Sequence, residues 1–183
     1  EQIQGDISKY EIVEKACSGI NTVYHVAAKA GVWGDYSGYY QTNFIGTQNI
    51  IDACCKQNVS RLIYTSSPSV VFTGSDLEGV NESVPYPESF HTPYQETKAL
   101  AEQLVVAAAH KDLLTIVLRP HLIWGPNDNH LVPRIIARAN RLAIVGNGKN
   151  LVDTIYIDNA ASAHILAADK LKDNHNLSGN VYS

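Results

Sequence analysis

Tyr94 and Lys98 stand four residues apart in His91-Thr-Pro-Tyr-Gln-Glu-Thr-Lys98, and Thr65-Ser66-Ser67 lies upstream of them. On a helix that spacing places both side chains on one face, an ammonium beside a phenol. A free phenol titrates near pH ~10, about three units too high for proton exchange at neutrality, and each unit is worth ~1.4 kcal/mol. A neighbouring positive charge stabilises the phenolate and lowers that pKa. A serine hydroxyl can then hold a carbonyl or carbinol oxygen against the phenol. These residue types suit hydride-transfer chemistry at a carbon bearing oxygen. The chain has ten tyrosines, so the pair taken alone is also compatible with a packed tyrosine and a solvated lysine. The elements around it have to decide.

Those elements alternate. Residues 9–18 carry helical spacing at Ile12, Val13 and Ala16, and Asn21 to Ala27 is a short β-rich run that reads as a buried strand. A loop with Gly31, Gly34 and Gly38 leads to a helix expected from about Tyr39 to Gln57. Ser60 to Thr65 is the next strand. Ser67 to Pro93 is a long polar stretch of the kind that forms functional or lid-like loops. Pro93 opens a helix that ends near His110, as proline suits a first turn. Leu113 to Leu118 is a buried strand, and Arg119 to Pro126 leaves it as a loop. A helix is expected over His130 to Asn140, a turn at Gly146-Asn-Gly148 and a strand at Thr154 to Ile157. Asp158 is expected to cap an alanine-rich helix from about Asn159 to Leu171, and Gly179 to Ser183 starts another strand. Such alternation implies an α/β fold with a parallel sheet covered on both faces.

Composition narrows the function classes. A chain of 183 residues with 45% apolar residues reads as one soluble globular domain. A formal charge of −4, with no cluster of lysines or arginines, argues against nucleic acid as a partner. No apolar run is long enough to span a bilayer and no signal peptide is recognisable, so no transmembrane segment is expected. Cys17, Cys54 and Cys55 make neither a disulfide framework nor a metal-ligand spacing, which fits a reducing cytoplasm and no metal site. The chain contains no methionine and opens on Glu1-Gln-Ile-Gln-Gly, which reads as a fragment.

Several motifs, in order along nearly the whole chain, resemble the extended short-chain dehydrogenase/reductase family. Gly5-Asp6-Ile7 resembles the turn after that family's third strand, and His25-Val-Ala-Ala28 its fourth-strand signature. Asn43-Phe-Ile-Gly-Thr47 is similar to its Asn-x-x-Gly-Thr stretch, and Tyr64-Thr-Ser-Ser-Pro-Ser-Val-Val71 to its fifth strand and serine. Arg119-Pro-His-Leu-Ile-Trp-Gly-Pro126 resembles its Arg-Pro-x-x-x-Tyr-Gly-Pro segment, and Val152 to Ala160 the strand and helix start beside the substrate pocket. The resemblance implies a Rossmann-like, doubly wound parallel sheet with NAD or NADP as cofactor. It divides the chain into a cofactor and catalytic part over about 1–125 and the start of a substrate part over about 126–183.

The same resemblance assigns roles. Tyr94 would exchange the proton with the substrate oxygen, while Lys98 lowers the tyrosine pKa and holds the nicotinamide ribose. Ser67 would hydrogen-bond the reacting oxygen, with Ser66 an alternative and Ser69 a loop hydroxyl. Asn43 would distort its helix and support the lysine. Asp6 and Ile7 would meet the adenine; Val26, Ala27, Ala28, Pro120 and His121 would lie against the cofactor. His25 reads as a satisfied core histidine.

Departures from the family pattern matter as well. The glycine-rich turn that seats the pyrophosphate on a helix N-terminus is missing, as is the residue that selects NAD or NADP. The N-terminal βαβ unit is therefore expected to be absent from this chain and the C-terminal substrate region incomplete, so that these residues alone would fold poorly and bind cofactor weakly. Pro68 and Ser69 follow Ser67 where sugar dehydratases carry an acidic pair. His121-Leu-Ile-Trp124 is apolar where sugar epimerases tend to place an amide. The lining favours a small apolar substrate. The longer matches are most similar to the 3β-hydroxysteroid dehydrogenase branch, and within it to bacterial reductases of 2-alkyl-3-oxoalkanoates. That resemblance implies interconversion of hydroxyl and ketone, with an epimerase or a non-catalytic NAD(P)-binding protein as the alternatives. It also implies a homodimer through the helices that begin at Tyr39 and Pro93. Trp33 and Trp124 are either packing residues or lipid contacts.

Overall fold

The computed structural model describes residues 1–31, 33–128, 131–144 and 146–183. Its centre is a four-stranded sheet in the order β1 (Thr22–His25), β2 (Arg61–Thr65), β3 (Leu114–Leu118), β6 (Asn180–Tyr182), and each neighbouring pair is parallel. Burial explains the sequence of the middle strands. Leu62, Ile63 and Tyr64 in β2, and Leu114 to Val117 in β3, are buried without alternation, as a sheet covered on both faces requires.

The two faces have separate cores. On one, α1 (Tyr10–Cys17), α3 (Gly46–Lys56) and α4 (Pro93–Ala107) close over the sheet through Val13, Ile50, Cys54, Leu62, Val105 and Val117. On the other, α6 (Ile157–Asp173) packs Ala168 and Leu171 against Ile63, Leu114 and Ile116. Full burial of each valine, leucine or isoleucine among these contributes roughly 1.5–3 kcal/mol. The doubly wound architecture expected from the alternation is the architecture found.

Several boundaries differ, each for a local reason. The helix expected from Tyr39 starts earlier, as α2 (Tyr36–Tyr39), because the Asp35 carboxylate caps it by accepting from the Gly38 amide at 3.1 Å. It then widens into a π-helical segment, Tyr40–Ile45, before α3 resumes α geometry. In α4 the Thr92 hydroxyl accepts from the Gln95 amide at 3.2 Å, and Pro93 occupies the first turn, so the start is fixed twice. Ile123–Trp124 was expected to be loop. It forms β4, which pairs in parallel with β5 (Ile155–Tyr156) as a separate two-stranded sheet. Asp158 does not cap α6: Tyr156 holds that position without a side-chain bond, and Asp158 lies inside the first turn, where its charge still suits the helix dipole. The helix expected from His130 is observed as α5 (Leu131–Arg138), His130 itself lying outside the described residues. The long stretch after Ser67 holds one 3₁₀ turn, Pro68–Val71, and packs Val84, Tyr86 and Phe90 against Val70, Val71 and Ala99.

Candidate active site

Parallel strands end at one edge, and here three adjacent ends carry the candidate residues. His25-Val26-Ala27-Ala28 follows β1, Thr65-Ser66-Ser67 closes β2, and Arg119-Pro120-His121 leaves β3. Crevices at the carboxyl ends of such strands are where open α/β sheets bind ligands. Val26 is 60% exposed there, and Ala27 and Ala28 are exposed too, so small side chains line the edge beside β1. Pro120 and His121 are half-buried, and the His121 Nδ1 accepts from the Leu122 amide at 3.1 Å. Asp6 and Ile7 precede α1. The Asp6 carboxylate accepts from the Ser8 amide at 2.9 Å, which holds its pKa below the usual carboxylate value. The Ile7 carbonyl accepts from Asn49 Nδ2 at 2.9 Å, and its side chain lies so close over Gly46 that a Cβ there would approach to 2.6 Å.

The first turns of α4 bring Tyr94 to the edge of β2. Its phenol lies near the Ser67 hydroxyl. Ser67 accepts from the Ser69 amide at 3.2 Å and shares a 2.9 Å bond with the Ser69 hydroxyl. Ser66, the alternative, is buried, and its hydroxyl has no partner among the described residues. Burial raises the Tyr94 pKa, and the neighbouring Ser67 hydroxyl opposes that rise.

Lys98 is anchored to β2. Its ammonium donates to the Tyr64 phenol oxygen at 2.6 Å and to the Thr65 carbonyl at 2.7 Å, and lies 4.1 Å from the centre of the Tyr64 ring. The ammonium is directed at β2, and burial is the first cause of the raised Tyr94 pKa. Burial also brings Lys98 itself down to about 7, against an opposing pull from Glu102 one turn further along α4.

Asn43 lies within the π-helical segment, where the resemblance implied a distortion. Its Oδ1 accepts from the Lys29 amide at 2.7 Å, and its Nδ2 donates to the Lys29 carbonyl at 3.1 Å and to Thr97 Oγ1 at 3.0 Å. It thereby ties the loop after β1 to α4, one residue before Lys98. Its carbonyl accepts from Thr47 Oγ1 at 2.6 Å. With that hydroxyl hydrogen committed, His25 Nε2, 2.8 Å from Thr47 Oγ1, must be the donor. Only half of the satisfied histidine expected from sequence is realised, since the buried Nδ1 has no partner among the described residues. Burial first, and the nearby Lys98 second, push the His25 pKa down to about 3.

Four further residues join this framework. Tyr64 is fully buried beside the His25 ring, with centroids 5.1 Å apart. Glu102, buried on α4, pairs with Arg119 at 2.5 Å and accepts from the Tyr86 hydroxyl at 2.7 Å. His164 on α6 has its Nε2 2.7 Å from Thr65 Oγ1 and its Nδ1 2.7 Å from the Ala160 carbonyl. The i, i+4, i+8 series Tyr94, Lys98, Glu102 was a usable signal for the glutamate. His164, 99 positions from Thr65, carried none. Both tryptophans lie outside the core: Trp33 is 82% exposed, beside Val32, which lies outside the described residues, and Trp124 is 44% exposed and meets the Tyr156 ring edge-on. A hollow of about 740 Å³ opens among Arg61, His110, Lys111 and Lys172, and none of Ser67, Tyr94 and Lys98 lines it. Among the described residues no helix is long and apolar enough to cross a membrane.

Comparison with known proteins follows the same lines. Over 185 residues the chain is 49% identical to a 2-alkyl-3-oxoalkanoate reductase of Stenotrophomonas maltophilia, covering 99% of this chain and 56% of that protein. It is 39% identical over 183 residues to the decarboxylating sterol-4-alpha-carboxylate 3-dehydrogenase of Homo sapiens, covering 97% of this chain and 49% of that one. The solved structure of UDP-glucose 4-epimerase from Brucella ovis in complex with NAD superposes with a TM-score of 0.78 at 27% identity, over 98% of this chain and 62% of that one. The chain spans about half the length of the curated relatives it matches. Matched from residue 1 to residue 183, it belongs to the 3-beta hydroxysteroid dehydrogenase/isomerase family.

Proposed function

We propose that this chain carries the catalytic part of an NAD(P)-dependent oxidoreductase that interconverts a hydroxyl and a ketone on an apolar substrate, a 3β-hydroxysteroid or a long-chain 3-oxo or 3-hydroxy acid. The observation that carries this reading is the convergence of Ser67, after β2, and Tyr94, in the first turn of α4, at the carboxyl edge of the sheet, with the buried ammonium of Lys98 on the next turn of the same helix. The edge suits a dinucleotide. Val26, Ala27 and Ala28 expose small side chains there, and Lys98 keeps one ammonium hydrogen beyond those given to Tyr64 and Thr65. When bound, the nicotinamide would supply or accept the hydride.

This chain's own residues would handle the proton. Tyr94 Oη would pass it to or take it from the substrate oxygen, and Ser67 Oγ would hydrogen-bond that oxygen as its charge changes. Asn43 would hold the loop after β1 against α4 and take no direct part. Pro120 and His121 would close the nicotinamide side, with Asp6 and Ile7 at the adenine end. Leu122, Ile123 and Trp124, all exposed beside this edge, favour an apolar substrate, as the names of the reductase and sterol dehydrogenase relatives do. A division at about residue 125, pairing of two copies through α2–α3 and α4, and a cytoplasmic setting belong to the same proposal.

The test is an absorbance assay on the natural full-length protein with NADH or NADPH. It would offer a 3-ketosteroid, a long-chain 3-oxo acid and a UDP-sugar, beside Tyr94→Phe. We expect turnover of an apolar ketone, reduced by about 10²–10⁴-fold in the variant. Sugar turnover with both ketones inert would place the protein among the epimerases. Cofactor binding without turnover of any substrate would make it a binding protein.

A further inference from the structure

Lys98 is almost wholly enclosed, and what encloses it is specific. Its ammonium has three hydrogens, and two are committed to acceptors on one strand, Tyr64 Oη at 2.6 Å and the Thr65 carbonyl at 2.7 Å. Thr65 is held in turn: the amide of the next residue, Ser66, donates to the Leu118 carbonyl at 2.6 Å, and the Thr65 hydroxyl is 2.7 Å from His164. Tyr64 has no freedom either, being 1% exposed between the His25 ring and the ammonium. Two acceptors in fixed positions leave the third hydrogen one direction.

We propose that Tyr64 is a positioning residue, whose phenol oxygen, together with the Thr65 carbonyl, fixes the Lys98 ammonium so that its remaining hydrogen serves the cofactor side of the site. This rests on the oxidoreductase reading above and adds to it a second phenol with a separate task. Tyr94 is the phenol that meets substrate, and Tyr64 the one that holds the lysine. The division suits their surroundings: burial raises the Tyr64 pKa well above its ordinary value, so it stays a neutral acceptor at all physiological pH. The charged and titratable groups around Lys98 are Glu102 and Tyr94 on α4, Tyr64 on β2 and His25 on β1, with Arg119 and Tyr86 reaching it through Glu102 and His164 through Thr65. Of these Tyr64 alone gives the ammonium a side-chain hydrogen bond among the described residues.

The experiment uses the natural full-length protein labelled at lysine ¹³Cε and tyrosine ¹³Cζ, with Tyr64→Phe as the variant. Phenylalanine keeps the ring and removes the phenol hydroxyl, the oxygen that accepts from Lys98 included. Losing a hydrogen bond to a charged group should move the Lys98 ¹³Cε titration to lower pH by about one unit. In the unaltered protein the Tyr64 ¹³Cζ resonance should follow the same midpoint while the phenol stays protonated. An unchanged lysine midpoint in the variant, or a Tyr64 signal flat across it, overturns the proposal, and the second measurement does not depend on the variant folding. In turnover, the alkaline limb of kcat/KM should move down in pH with the lysine, which a purely structural contribution of Tyr64 would leave in place. Should no ketone be turned over, the oxidoreductase reading falls, and the two NMR titrations still decide the role of Tyr64.

Discussion

His25 shows what burial does to one titratable side chain. Its folded pKa, about 3, lies below the ordinary 6.5, so between those values the unfolded chain binds a proton that the folded chain refuses. Stability is therefore full above pH 6.5 and declines as pH falls towards 3, by on the order of 2 kcal/mol between 6.5 and 5. Replacing it by glutamine should flatten that decline, measured as urea midpoints at pH 6.5 and 5 in the two proteins. At this scale the sequence was readable where chemistry has a spacing. Tyr94 and Lys98 are singled out by their interval together with the ordered motifs around them, and Ser67 by the family resemblance of the segment after β2. Tyr64 is not, because in one dimension a tyrosine within a buried strand is indistinguishable from ordinary core. Only the position of the lysine across from it gives its hydroxyl a task.

Elements are held in place here by polar contacts as much as by apolar ones. Glu102 and Arg119 form a buried ion pair between α4 and the end of β3, and Tyr86 adds the loop before α4 to it. Taking away one partner strands the other charge, so Arg119→Met should cost about 3–5 kcal/mol, whereas Tyr86→Phe, which removes one bond to a charge, should cost about 1.5–3 kcal/mol. Denaturant titration of both variants would check the order. Asn43→Ala removes the partner of Lys29 and Thr97 together, and a loss of about 2–4 kcal/mol is expected in the same measurement. Helix and strand identities followed from periodicity and from Pro93, but ends and irregularities did not. Asp35 begins α2 in a stretch whose glycines argue for loop, and β4 exists only because Ile155–Tyr156 lies beside it. Such pairings join residues far apart in sequence, which local pattern does not encode.

At the scale of the whole molecule the described surface is uneven. The core lies between the sheet and its helices, while Ile136 is 68%, Ile144 81% and Leu151 94% exposed. Exposed apolar groups in such number favour association. Ile144→Lys with Leu151→Lys should lower binding of a hydrophobic dye and reduce self-association in sedimentation, while changing unfolding free energy by less than about 0.5 kcal/mol. Strand–helix alternation made the doubly wound sheet legible, yet no property of the sequence alone located these faces, since exposure depends on what packs where. The π-helical segment Tyr40–Ile45 has a consequence of this wider kind. Each residue turns an α-helix by about 100°, so one extra residue taken up in a wide turn is a change of phase for all that follows. Gly46 faces Ile7 and Thr47 faces His25 only because that rotation has already occurred. The bulge thus acts as a dial: shortening it by one position would leave α3 intact as a helix while presenting the wrong side of it to the sheet.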